Sequence, residues 1–157
     1  MATKPLISDE LANFLHSGLA IMAATRDGAL QPDGAWAWAA RVHEDRAHLT
    51  VYFNAKDAPG LLRNLEAHPE IALACDLPSS HRACQVKGRF TASRRARPAE
   101  RAEIERQAKA FVVDLERIGI PQAMTDGWKC WPSVAIELRV TQLFEQTPGP
   151  GTGEPMR

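Results

Sequence analysis

The chain has 157 residues, of which 45% are apolar, 24% charged and 6% aromatic, the composition of one globular domain with a real core. Nineteen Lys and Arg balance nineteen Asp and Glu, and this zero formal charge excludes a net-charge-driven nucleic-acid binder and a polybasic membrane anchor. No apolar run approaches the roughly 18 residues a membrane span needs, and Met1 leads into polar sequence, so the expected address is the cytoplasm, with neither membrane nor nucleic acid as a partner.

Ser8 can cap a first helix over 9–17, with Leu11, Phe14 and Leu15 as a narrow apolar stripe and Gly18 as its stop. The apolar run 19–25 is short enough for a buried strand, and Arg26-Asp27-Gly28 supplies a turn. Over 34–43 the residues alternate as in a strand, placing Trp36, Trp38, Ala40 and Val42 on one face and Ala35, Ala37, Ala39 and Arg41 on the other. After a turn at Glu44-Asp45-Arg46, strand 47–54 sets Leu49, Val51 and Phe53 against His48, Thr50 and Tyr52.

A helical period follows over 58–67, with Leu61, Leu62 and Leu65 on its apolar side and Pro69 as its stop. Two strands, 71–75 and 84–90, flank the polar loop 76–81. The amphipathic stretch 98–118 then places Ile104, Ala108, Phe111, Val112 and Leu115 on one face; the eight basic and three acidic residues of 82–106 fit either an anion-attracting patch or, through Arg101, Glu105 and Arg106, a solvated helix face with ion pairs, the favoured reading. Val134, Ile136, Leu138 and Val140 mark a sixth strand. The Gly/Pro-rich stretch 148–157 reads as an extended or disordered tail beyond a domain of residues 1–147.

Hairpin spacing predicts an antiparallel sheet, and such a sheet avoids exposed edges by curling into a barrel. The expected class is α+β, mainly β: a six-stranded antiparallel barrel with two or three flanking helices. Cys75, Cys84 and Cys130 form neither an even disulfide set nor a C-x-x-C pair, and read as small core hydrophobes. The five histidines lack metal-ligand spacing, so no metal site is expected.

The order of elements and several short motifs resemble the pyridoxamine 5'-phosphate oxidase-like family of FMN-binding split β-barrels, over roughly residues 11–144. The stretch Ala24-Thr25-Arg26-Asp27-Gly28 is similar to the family's A-T-x-x-x-G turn. Asn64-Leu65-Glu66-Ala67-His68-Pro69-Glu70-Ile71-Ala72-Leu73 resembles its N-L-x-x-N-P-x-V-A-L segment, and Val86-Lys87-Gly88 its V-x-G strand.

The resemblance implies a homodimer with FMN in clefts at the interface, and a small-molecule substrate or an electron donor such as NAD(P)H. It also implies that basic side chains grip the phosphate, a task that suits charge-assisted hydrogen bonds. On this sequence the implied cofactor-binding positions are Arg41, the Tyr52-Phe53-Asn54 strand end, Lys56, Arg63, Arg82 and Gln85, with Ala39 and Ala40 giving a flat ring room against the backbone.

The family's lysine slot falls on Leu61, which cannot hold a phosphate, so Lys56 and Arg63 are the substitutes. The R-x-H pattern tied to pyridoxamine phosphate is absent at Leu138-Arg139-Val140, so that compound is not the expected substrate. No catalytic acid, base or nucleophile stands out.

Trp36 and Trp38, with Trp128 and Trp131, fit either an aromatic wall over a ligand or interface, or core packing. The functional readings open at this point are an FMN-dependent oxidoreductase, a non-catalytic split barrel holding flavin, haem or deazaflavin, and a dimeric module without cofactor.

Overall fold

The computed structural model describes residues 6–156. Six antiparallel strands close into a barrel in the order β1-β2-β3-β6-β5-β4, where β1 is Ala20–Arg26, β2 Pro32–Val42, β3 His48–Asn54, β4 Glu70–Leu77, β5 Arg82–Arg95 and β6 Ser133–Glu145. Three α-helices accompany it: α1 (Asp9–Leu15), α2 (Ala58–Ala67) and α3 (Arg101–Arg117). Pro98, expected as the first residue of the long helix, instead opens a short 3-10 turn, Pro98–Glu100, that leads into α3. Among the described residues no helix is long and apolar enough to cross a membrane.

The apolar residues sort into two layers. Ile21, Leu49, Val51, Phe53, Leu73, Val86, Ile136 and Leu138 fill the barrel, and the stripes of α1 (Leu11, Phe14, Leu15) and α2 (Ala58, Leu61, Leu65) join that interior. Each fully buried Leu or Phe contributes about 1.5–3 kcal/mol. A second cluster lies outside the barrel wall, where Trp38, Ala39, Tyr52 and Ala135 meet Ile104, Ala108 and Phe111 of α3.

With seven residues, α1 is too short to stand alone. The Ser8 hydroxyl accepts the Leu11 N–H at 3.1 Å, and Asp9 and Glu10 suit the positive end of its dipole. Gly18 ends this segment at φ +92°, and a Cβ there would stand 2.6 Å from both the Ala110 Cβ and the Gln107 carbonyl. Only a bare glycine lets α3 pack so close.

The expected alternation of β2 fails in its middle. A register shift between Ala37 and Ala39 inserts Trp38 as an extra residue opposite β3. Ala35 and Ala37 therefore point inward with Ala40, whereas Trp38 and Ala39 both belong to the outer cluster, with Trp36 packed against it. The bulge resets the phase of the strand, so Trp38 and Ala40 do not share a face.

The tail also departs from expectation. Residues 148–156 turn back onto β6: the Gly153 N–H donates to the Glu145 carbonyl at 2.6 Å, Glu145 N–H to Glu154 at 2.9 Å, and Met156 N–H to Leu143 at 2.9 Å. The Thr152 hydroxyl donates to the Thr147 carbonyl at 2.7 Å and closes the turn. Composition alone points to disorder, but the turn-forming glycines let this stretch extend the edge of the sheet. Residue 157 lies outside the described residues.

Candidate functional site

The bulge at Trp38 places two indoles, Trp36 and Trp38, on the outer wall, where the loop 125–132 meets them. Trp128 of that loop sits 5.9 Å from Trp38 and 6.5 Å from Trp36, centroid to centroid, and nearly parallel to Phe111 of α3. Trp131 follows on the same loop, with the Arg101 guanidinium over its ring at 5.4 Å.

Asn54, at the end of β3, ties the pieces together. Its side-chain amide donates to the Lys129 carbonyl at 2.8 Å, while its oxygen accepts the Lys56 N–H at 2.9 Å. One half-turn of strand thereby sets both the 127–132 loop and the start of the segment leading to α2.

The result is a cleft of about 600 Å³ with all four tryptophans in its wall, together with Asn54, Lys56, Asp57 and Lys129. Its titratable lining is thus two ammonium groups and one carboxylate. The Nε1–H groups of Trp36 and Trp38 are buried and find no acceptor among the described residues. An unpaired buried donor costs about 1–3 kcal/mol, and since both nitrogens are covered by protein, it is the ring faces and edges of these tryptophans that line the cleft.

Of the ten expected cofactor positions, the structure brings Asn54 and Lys56 to this cleft. Arg41 and Tyr52 lie on the outer wall in a separate polar chain. The Arg41 Nε donates to the Tyr52 hydroxyl at 3.3 Å, and that hydroxyl donates to Glu100 at 2.9 Å. Arg94 holds both Glu100 oxygens at 2.7 Å. These Arg94 bonds pull the Glu100 carboxyl down to about 2, and burial pushes the Tyr52 hydroxyl up.

The other positions are spread over the molecule. Phe53 and Ala40 point into the barrel, Ala39 is covered in the outer cluster, and Arg63 is exposed on α2. Arg82 pairs with Glu10 at 2.9 Å and covers the Phe14 ring at 4.4 Å. Gln85 lies on β5 opposite Ala74 and Phe144. Leu61 is a core residue, so its place in the expected lysine slot is a packing position facing away from solvent.

Sequence reasoning passed over Lys129 as a site residue. Its position between two tryptophans is the only local signal; its role depends on a loop whose course Asn54 sets from 75 residues away in the chain.

No protein-family model matches the sequence, and no curated protein matches it. Solved structures do. HupZ of Group A Streptococcus aligns with a TM-score of 0.56 and 19% identity over 94% of this chain and 99% of that one. A pyridoxamine 5'-phosphate oxidase-related, FMN-binding protein of Nostoc punctiforme aligns with a TM-score of 0.53 and 12% identity, covering 96% and 89%.

The protein has the pyridoxamine 5'-phosphate oxidase-like split-barrel fold. An F420 reductase shares this split barrel at a TM-score of 0.51 and 18% identity, covering 83% of this chain and 93% of that one. At such identities the likeness concerns the split-barrel fold, and the site must be argued from its own residues.

Proposed function

We propose that this split-barrel protein binds a flavin-type cofactor, FMN in the first instance, in the tryptophan-lined cleft and acts as an oxidoreductase on a small molecule. The observation that carries this reading is the joint presence, in one cleft, of four tryptophan walls, the Asn54 side chain and two lysines. This lining fits a flat aromatic ring with an anionic end. Bound FMN supplies reversible two-electron chemistry at its ring.

The chain's own part is binding and exclusion of water. The indoles of Trp36, Trp38, Trp128 and Trp131 offer faces and edges to a planar ring. Lys56 and Lys129 hold the anionic end, with Asn54 fixing the backbone on both sides. Electrons come from a soluble donor of the NAD(P)H class. Two copies pair, and the second chain covers the open side of the cleft, where Trp128 is exposed.

A second reading is binding without turnover, of flavin, deazaflavin or haem. It is favoured by the lining itself, whose titratable groups are Lys56, Asp57 and Lys129, with no histidine or tyrosine to shuttle a proton.

The test is the absorption spectrum of the purified protein, followed by titration with FMN. A flavin spectrum, or saturable quenching of FMN emission that weakens at least about tenfold in the double variant K56A/K129A, supports the site. A colourless protein with no affinity for FMN sinks it. Oxidation of NADH or NADPH in the presence of FMN separates the enzyme from the binder, and light scattering reads the dimer.

A further inference from the structure

The cleft has a neighbour. A smaller cavity of about 220 Å³ lies between α3, represented by Ala108, Lys109 and Val112, and the segment carrying Gln122, Thr125 and Asp126. Trp38 and Trp128 line both spaces, so two indoles stand between them.

The two are held very differently. Trp38 is 8% exposed and sits in the bulge of β2, between Ala37 and Ala39, which both pair with β3. Trp128 is 44% exposed and lies outside every helix and strand. Its backbone N–H donates to the Thr125 carbonyl at 2.9 Å, and its ring rests on Phe111 at 6.3 Å and 17° and meets Trp38 edge-on at 5.9 Å. The Trp128 indole is therefore the part of the partition that a substitution can remove while leaving the barrel wall in place.

We infer that Trp128 is a specificity-determining residue of the cleft: its indole closes the cleft on the side of α3 and limits the ligand to a flat anion that fits the larger space alone. Without that ring the two spaces join. The added part brings its own polar lining, Lys109, Gln122, Thr125 and Asp126, which can receive a second charged or hydrogen-bonding substituent. Larger conjugated anions, which the wild-type cleft turns away, then gain a second anchoring point. This deepens the reading of the cleft as the ligand site and rests on it, but the size limit is measurable with dyes that need no flavin chemistry.

Cys130 provides a reporter. It lines the smaller cavity and is half-buried, whereas Cys75 and Cys84 are buried in the barrel wall. The probes are anilinonaphthalene sulfonate, a small aromatic anion, and its covalent dimer, which is twice as large. In W128A the ratio of dimer affinity to small-dye affinity rises at least about tenfold over wild type, with both dyes losing whatever contact the Trp128 ring itself supplied. The bound dimer also slows alkylation of Cys130 by iodoacetamide in W128A and not in wild type. W128F, which keeps a ring over Phe111, stays near wild type.

An unchanged ratio of dimer to monomer affinity in W128A overturns the inference, as does equal protection of Cys130 in both proteins, or a W128F as permissive as W128A. If W128A melts early, W128L is read by the same criteria. A wild-type protein that fails to bind FMN but shows the expected dye ratio sinks the flavin reading and spares the partition. FMN binding with an unchanged dye ratio does the reverse.

Discussion

The side-chain amide of Gln107 closes a two-point hydrogen bond with the backbone of Ala40: it accepts the Ala40 N–H at 3.0 Å and donates to the Ala40 carbonyl at 2.9 Å. The register of β1 with β2 ends at Ala37, so β2 runs on without a strand neighbour on that side. Gln107 of α3 stands in for the missing strand. Gln107 also donates to Glu103 at 2.9 Å, and it is buried among Ile104, Ala108 and Phe111 where the backbone of Ala40 needs a polar partner.

Replacing it tests that role. Q107A leaves a donor and an acceptor of Ala40 unpaired and is expected to cost about 2–4 kcal/mol in urea unfolding. Q107E keeps the acceptor but turns a carboxylate oxygen toward the Ala40 carbonyl, so it should be no better than Q107A. A loss below about 0.5 kcal/mol in both would show that water replaces the side chain.

Val42, two residues on, uses the same device through α1: its N–H donates to Nε2 of His16 at 2.9 Å. Only the neutral imidazole can accept there. Burial is the largest influence on His16 and holds its pKa below the ordinary 6.5, opposed by Glu103. A folded pKa below the unfolded one means that the unfolded chain takes up the proton first. Stability is then complete above about 6.5 and declines as the pH falls from there through the lower folded value. H16Q, which offers an amide oxygen in place of the ring nitrogen, should flatten this dependence in a series of melts between pH 7 and 5.

Glu100 gives a separate acid limb. Its carboxyl is held at about 2 rather than 4.5, first by Arg94, then by the Arg97 N–H and the Tyr52 hydroxyl. The stabilisation is present above about 4.5 and is lost as the pH falls toward 2. E100Q should be less stable than wild type at neutral pH, with the difference shrinking across that window. Parallel curves for the two proteins would remove Glu100 from the account of acid unfolding.

Gly88, the glycine of the V-x-G strand, sits at a register shift between β5 and β6. A Cβ there would stand 2.6 Å from Leu138 Cδ1 and 2.7 Å from the Arg139 carbonyl. The neighbour at fault includes backbone, which cannot swing aside, so G88A should destabilise the barrel by about 1–3 kcal/mol. A thermal melt within a degree of wild type would contradict this packing.

Removing the tail after Thr147 deletes the three backbone bonds that residues 153–156 make with Leu143 and Glu145. The expected loss is about 1–3 kcal/mol, with faster amide exchange at the end of β6. Exchange at Leu143 to Glu145 that matches the full chain would mean the tail contributes no protection.

How far the sequence carried depends on the range over which each signal acts. The helix over Ala58–Ala67 was legible because one apolar stripe and one proline act within ten residues. An antiparallel barrel followed from hairpin spacing, but the long-range β3-β6 and β1-β4 pairings that close it did not. The faces of β2 did not: Ala35, Ala37, Ala39 and Ala40 offer no contrast in side chain, so nothing local marks the extra residue at Trp38. The tail was misread because composition reports what cannot form a core and says little about a turn closed by Thr152.

In the site, the aromatic wall was visible as four tryptophans in two short stretches, and Lys56 by its place after β3. The fate of Arg82 was not, since its partner Glu10 lies 72 residues away. Convergence of charges on one point is a property of tertiary contact, which a linear pattern does not encode.

The placement of the tryptophans has an optical consequence. All four in the chain line one cleft, and three of them lie within 6.5 Å of a neighbour. Intrinsic emission from this protein therefore reports that cleft and hardly anything else, and rings so close exchange excitation among themselves. Unfolding followed by tryptophan fluorescence will track the loosening of the 125–132 loop, whereas far-UV dichroism follows the barrel; a gap between the two transitions would measure how independently the cleft opens.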